Sequence, residues 1–283
     1  LSDAERADTL LEQGRLGVAE VDRMVTAVAA MHADARADAH TAAFGDPVRI
    51  EHNVRENFEQ TRDAIEAILE PSEAQAIEDW QLGFLREHRA HFAERIARGR
   101  VRDGHGDLRL EHFYLGGADR SAVRAIDCIE FNERFRFADV CADLAFLSMD
   151  LAWHGRVDLA ERALATYARE TSDFDLYRLV DFYESYRAYV RGKIATLLAT
   201  DRSAPAPARA RARRRARRYF LLALATERRA LLPPFVLAVG GVIASGKSTL
   251  ADGVGAIVGA PAINTDRIRK HLLGARPTDK VYE

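Results

Sequence analysis

The chain has 283 residues, 48% hydrophobic and 30% charged, with a formal net charge of -2. That balance predicts folded domains with apolar cores and excludes a chain whose whole surface is built to hold nucleic acid. No apolar run reaches the ~20 residues that cross a bilayer, no leader-like segment opens the chain, and Cys128 and Cys141 fall in no metal-ligand pattern, so a soluble, cytoplasmic protein without a membrane partner is expected, with both cysteines buried.

From Ser2 to about Ala37 apolar residues recur at helical spacing, with Leu10, Leu11, Val18, Val21, Val25, Val28 and Met31 on one face or its continuation, and Ser2 with Glu5 reads as a capping box. Arg55 to about Gly99 is again helical, divided at Pro71 and Ser72. Trp80, Phe84, Phe146, Trp153 and Tyr183 read as core residues. His32, His40, His52, His88 and His91 show no ligand spacing.

The texture changes at Val101. GHGDLRLEHFYL, Gly104 to Leu115, gathers His105, Asp107, Arg109, Glu111 and His112 before a short apolar run. A turn-like GGADRS separates it from VRAIDCIEF, which carries Asp127, so the two runs predict a β-hairpin or a pair of adjacent strands. Two carboxylates on adjacent short strands can share a site, one facing a hydroxyl and the other a metal bound to triphosphate. The alternative is a pair of structural aspartates capping turns.

After Asn132 the helical period returns in ADVCADLAFLSMDLAWHG and continues to about Ala230. Arg187, Arg191 and Lys193 lie at helical spacing and read as a surface face, and the arginines from Arg209 to Arg218 read as a solvated basic helix, so a nucleic-acid partner is not expected.

Pro233 and Pro234 mark a boundary before the apolar run Phe235 to Val239. Gly241 to Thr249 then matches GxxxxGK[ST], a loop whose backbone N–H groups cradle phosphate oxygens ahead of a helix N-terminus. In that pattern Gly241, Ser245, Gly246 and Thr249 shape the cradle, Lys247 reaches the outer phosphates and Ser248 ligates magnesium. A short strand PAINTD leads to DRIRKHLLG, which places Asp266 at a strand end, either to orient or deprotonate an acceptor hydroxyl or to cap a basic helix. No Walker B strand or lid arginine falls within these residues. The start at Leu1 and the stop at Glu283 suggest truncation at both ends.

The HGD segment with Asp127 downstream resembles the aminoglycoside phosphotransferase and choline kinase branch of the protein-kinase-like fold. That resemblance covers most of the first 230 residues and implies Asp107 as catalytic base, Asp127 as magnesium ligand and His105 as scaffold; Asp139 reads as a helix cap or a strut for the loop. His112 stands where that pattern has Asn, giving a metal site of His112 and Asp127 that is altered or weakened, since magnesium prefers oxygen ligands. The loop and lysine of that fold's N-terminal lobe would lie upstream of Leu1. Residues 241 to 270 resemble small P-loop kinases such as gluconate kinase and the kinase half of polynucleotide kinase.

The two together resemble a bacterial family of predicted two-domain kinases. The expected fold is mainly α with a small β-hairpin region over 1–230, a kinase-like C-terminal lobe, followed over 234–283 by the start of an α/β P-loop domain. The expected activity is transfer of phosphate from ATP, with Mg2+, to a hydroxyl of a small-molecule acceptor. The rival is a nucleotide-sensing protein in which the first lobe is a pseudokinase and the P-loop domain binds ATP.

Overall fold

The structure is a computed structural model, and it describes residues 1–116, 122–224, 236–258 and 260–275. The first apolar-periodic stretch forms separate pieces. A 3₁₀ turn at Asp3–Glu5, capped by Ser2, leads to α1 (Ala7–Glu12), and α2 (Val18–Asp34) starts afresh with the Gly17 N–H donating to Glu20 Oε2 at 3.0 Å. The stretch is not one helix because Gly14 and Gly17 interrupt it. α3 (Ala39–Ala42), α4 (Pro47–Ile65), α5 (Pro71–Glu87) and α6 (Arg89–Ala97) follow. Pro47 and Pro71 open their helices at a position where the missing N–H has no intrahelical partner to lose.

β1 (Val101–Asp103), β2 (Phe113–Leu115) and β3 (Val123–Ala125) come next, then α7 (Glu133–Arg136) and β4 (Phe137–Asp139). β2 and β3 pair antiparallel with Phe113 opposite Ala125, the expected hairpin, whose turn at 117–121 lies outside the described residues. β1 pairs antiparallel with β4, Val101 opposite Asp139. Nothing local announces that pair, because three-residue strands carry too little alternation to be read.

The chain then forms α8 (Val140–Trp153), α9 (Val157–Thr171), α10 (Val180–Thr200) and α11 (Ala206–Leu224). α8 is the spine, buried at every position from Val140 to Leu151. A helix apolar on all sides must be covered on all sides, and α9 and α10 pack on it, α2 on α9, and α4 and α11 on α10. Phe146 and Tyr183 are buried in this core, with Trp80, Phe84 and Trp153 packed against it. Arg95 joins the layers: it donates to Asp139 at 2.7 and 2.6 Å and pairs with Asp173, all three buried. Asp139 also caps α8, accepting from Cys141 N at 2.8 Å.

Three expectations change. Cys141 is buried but Cys128 is exposed, because it sits on the open segment after β3. Arg187 is buried rather than on a surface face, its guanidinium 4.7 Å from the Phe146 ring centre. The α/β part of the second unit is not formed among the described residues. α12 (Lys247–Val258) and α13 (Thr265–Leu272) are helical as expected, but neither 236–239 nor 261–264 is a strand, and Val236 is 95% exposed. A strand of this kind is held by neighbours on both edges and layers on both faces, and none of the described residues supplies them. Phe235 and the 230–234 boundary lie outside the described residues. No described helix is long and apolar enough to cross a membrane.

Candidate functional site

The site is built where the loop after β1 crosses the first and last turns of α8. Asp143 and Asp150 are seven residues apart in sequence and so fall on one face of that helix two turns from each other. Asp143 accepts from the backbone N–H of His105 at 2.7 Å and of Gly106 at 2.9 Å, and Asp150 accepts from the N–H of Leu110 at 3.0 Å. Both carboxyls are buried. Burial alone pushes the Asp143 carboxyl up, but His32 and the charge of Arg187 outweigh it together with the His105 N–H and hold it down at about 2. Asp150 goes the other way: burial raises it, and the Leu110 N–H offsets that only in part.

The glycines in GHG follow from this clamp. A Cβ on Gly104 would meet Asp143 Oδ2 at 2.5 Å. Gly106 has φ +82°, and its Cβ would meet the Phe135 carbonyl oxygen at 2.7 Å. His105 between them is buried, which lowers its imidazole below the ordinary range against the pull of Asp143. Its Nε2–H donates to the Ile126 carbonyl at 2.9 Å and its Nδ1 accepts from the Asp107 N–H at 3.3 Å. The scaffold expected of His105 therefore ties the loop to the chain just ahead of Asp127.

Asp107, His112 and Asp127 come together. The Nδ1–H of His112 donates to the Asp107 carbonyl at 2.6 Å, which leaves Nε2 with its lone pair 3.5 Å from Asp127 Oδ2. Asp127 is 78% exposed and holds φ +64° without being glycine, a strained backbone of the kind that persists at binding and catalytic positions. Asp107 is held by Arg109, which donates to both its oxygens at 2.8 and 2.7 Å. Burial raises the Asp107 carboxyl, but the Arg109 hydrogen bonds and charge outweigh it and leave the group below the ordinary carboxylate range. Arg109 also pairs with Glu111. The arrangement can accept a hydrogen bond from a hydroxyl at Asp107 and present a carboxylate and an imidazole nitrogen to a cation at Asp127 and His112. Among the described residues no group of three or more His, Cys, Asp or Glu is arranged to hold a metal by itself. The Asp127 carboxylate suits magnesium; the nitrogen of His112 suits it less.

Two functional residues escaped the sequence reading. Asp143 is the strut of the loop, while Asp139 caps α8 and pairs with Arg95. Asp150 was missed entirely. A seven-residue spacing of aspartates in an otherwise apolar helix was the available signal.

The second predicted set is separate. Gly241 and Gly246 take positive φ of 155° and 80°, Ser245 N–H donates to the Val242 carbonyl at 3.3 Å, and Ser248 and Thr249 sit on the first turn of α12. Lys247 Nζ donates to the Val242 carbonyl at 2.5 Å. Asp266 is not at a strand end: Asn264 caps α13, accepting from the N–H groups of Asp266 and Arg267 at 3.0 and 3.2 Å, and Asp266 pairs with Lys270 at 2.8 Å and Arg269 at 3.1 Å. Asparagine takes the cap because its side-chain oxygen reaches both N–H groups. Among the described residues no hydrogen bond or ion pair joins Asp266 to Gly241, Ser245, Gly246, Lys247, Ser248 or Thr249. This segment meets the first unit at α9, through Arg267 and Glu170 at 2.9 Å and Asp252 and Arg169 at 3.5 Å.

No family model matches the chain, and no solved structure matches it. Proteins of Mycobacterium bovis and Mycobacterium tuberculosis, described only as uncharacterized, are 30% identical to it over 275 residues, covering 95% of this chain and 52% of their own length. The chain thus spans about half the length of the curated relatives it matches.

Proposed function

We propose that residues 1–230 carry the acceptor and metal side of an ATP- and Mg2+-dependent phosphotransferase acting on a hydroxyl of a small polar acceptor, and that residues 234–283 open a nucleotide-binding P-loop unit. The observation that carries the reading is the pair of buried α8 carboxylates, Asp143 and Asp150, spent on fixing the backbone of the loop that bears Asp107. Buried carboxylates are costly, and a loop that served only as a connector would need no such clamp.

In this reading Asp107 accepts the hydrogen bond of the acceptor hydroxyl, aligns it, and takes its proton as the hydroxyl oxygen bonds to the γ-phosphorus of ATP and the bond to the β,γ-bridging oxygen breaks, releasing ADP. Its lowered basicity suits a transition state with little bond formation to the incoming oxygen, where the proton leaves late. Asp127 would hold magnesium, with the His112 Nε2 beside it as a second, poorer ligand; ATP would supply the phosphoryl group, and the ion would offset its developing charge. Arg109 holds Asp107 ionised, and His105 keeps the Asp107 and Asp127 segments in register. In the P-loop unit Lys247 and Ser248 would face phosphate oxygens and Asp266 a second acceptor hydroxyl.

A nucleotide-sensing role is the second reading, and the specific observation in its favour is that Arg109 engages both oxygens of Asp107. The experiment is transfer of labelled γ-phosphate from ATP to sugars, nucleosides, amino alcohols and hydroxy acids by the intact gene product, comparing Asp107→Asn with Lys247→Ala. Loss in Asp107→Asn alone places the chemistry in the first unit. Loss in Lys247→Ala alone places it at the P-loop, and ATP binding without transfer to any acceptor supports the sensing role.

A further inference from the structure

Beside the Asp107 loop stands a group of arginines that form no ion pair among the described residues. Arg191 lies on α10 one turn beyond Arg187, is partly buried, and its Nε is shielded from water with no hydrogen-bond partner. Its guanidinium is 5.9 Å from the centre of the Tyr219 ring, and that of Arg215 on α11 is 5.7 Å from the same ring. Trp153, at the end of α8, stacks on Tyr219 with centroids 3.7 Å apart, and Arg218 covers Trp153 at 4.1 Å. Among the described residues none of Arg191, Arg215 and Arg218 forms an ion pair, whereas Arg95, Arg109, Arg134, Arg136 and Arg162 all do.

Arg191 is half-buried while Arg215 and Arg218 are exposed; a half-buried guanidinium with an unmet N–H is costly, and a second cation brought to the same aromatic ring repels it. A bound anion removes both costs, and the planar fork of arginine matches an oxyanion bidentately. The cluster adjoins the Asp107 loop: Asp150 accepts from the Leu110 N–H, and Trp153, one turn further along α8, stacks on the Tyr219 ring that Arg191 faces, so the charge of Arg191 also acts on the Asp107 and Asp150 carboxyls. Asp150 is spoken for by the Leu110 N–H and forms no ion pair with Arg191.

We propose that the hydroxyl acceptor is itself an anion, carrying a carboxylate or phosphate ester that Arg191 and Arg215 grip beside Tyr219 while its hydroxyl faces Asp107. This rests on the phosphotransferase reading for the hydroxyl but not for the anion. It excludes the polycationic amino sugars and choline-like amines, which the arginines repel.

The test is a calorimetric titration of the intact protein with glycerate, glycerol 3-phosphate, glycerol and ethanolamine, in wild type, Arg191→Gln, Arg191→Lys and Asp107→Asn. The expected result is binding of one or both anions, weakened about 10- to 100-fold in Arg191→Gln, the range for losing a charged hydrogen-bonded contact, with partial recovery in Arg191→Lys. Glycerol and ethanolamine should bind at least 10-fold more weakly than the better anion. The two anions separate a carboxylate site from a phosphate site. Binding of ethanolamine in preference to both anions, no anion binding, or anion binding unchanged in Arg191→Gln with circular dichroism intact, overturns the proposal. Arg191-dependent anion binding that survives in Asp107→Asn, with no phosphate transfer in wild type, leaves the anion site standing and removes the phosphotransferase reading.

Discussion

Replacing Asp143 with Ala is the sharpest test of how the loop is held. The substitution removes the acceptor of three hydrogen bonds, from His105 N at 2.7 Å, Gly106 N at 2.9 Å and His32 Nε2 at 3.2 Å, at a site only 4% exposed. An unsatisfied buried donor costs about 1–3 kcal/mol, and breaking a buried charged network costs about 3–5 kcal/mol. Shared strain relief as the loop relaxes keeps the total near the network figure, so the expected loss is about 3–5 kcal/mol, a large part of the ~5–15 kcal/mol that folds a domain. Urea denaturation measures the loss. Native-state hydrogen exchange should show the His105 and Gly106 amides opening faster by a larger factor than amides of β2. The wild-type contribution should also fade in acid. Because the folded carboxyl sits at about 2, below its ordinary value, its stabilisation is present above the unfolded carboxyl's titration and lost as pH falls towards 2; Asp143→Asn should lack that component. A loss below about 1 kcal/mol with unchanged denaturant slope, and no selective exchange at 105 and 106, would refute the clamp.

Asp150→Asn should raise the melting temperature at pH 7 and leave it unchanged near pH 3, because burial raises this carboxyl and its ionised form costs stability as pH rises through the folded value; a melting curve pair at the two pH values decides it. Gly106→Ala should destabilise by about 2–4 kcal/mol from the left-handed backbone and the contact with the Phe135 carbonyl, and an effect under ~0.5 kcal/mol in urea titration contradicts that geometry. Arg109→Gln should free Asp107 and raise its carboxyl, moving the acid limb of any phosphate-transfer profile to higher pH; an unmoved limb means that Asp107 does not set it. His112→Asn should preserve folding and strengthen magnesium-dependent nucleotide binding by replacing nitrogen with oxygen beside Asp127, which nucleotide titration at varied magnesium reads directly.

The sequence by itself determined the helical character of the chain, the α4–α5 break at Pro71, the β2–β3 hairpin and the grouping of Asp107, His112 and Asp127, because each rests on residues close in sequence: apolar period, proline at a helix start, and a short connection that forces two strands together. Asp143 and Asp150 looked like unremarkable acids in an apolar helix, since their partners His32, His105, Gly106 and Leu110 lie 37 to 111 residues away and only the packing of α8 brings them together. Arg187 and Arg191 looked like a surface face for the same reason; whether a charged helix face meets water or a neighbour is decided by which helices cover it. The β1–β4 pair needed the whole of the intervening loop to close before its six residues could register. The P-loop segment marks the opposite limit. Its glycines and Lys247 are legible as a motif, but a motif fixes local backbone preference alone, and a strand forms only when tertiary structure supplies partners for its edges.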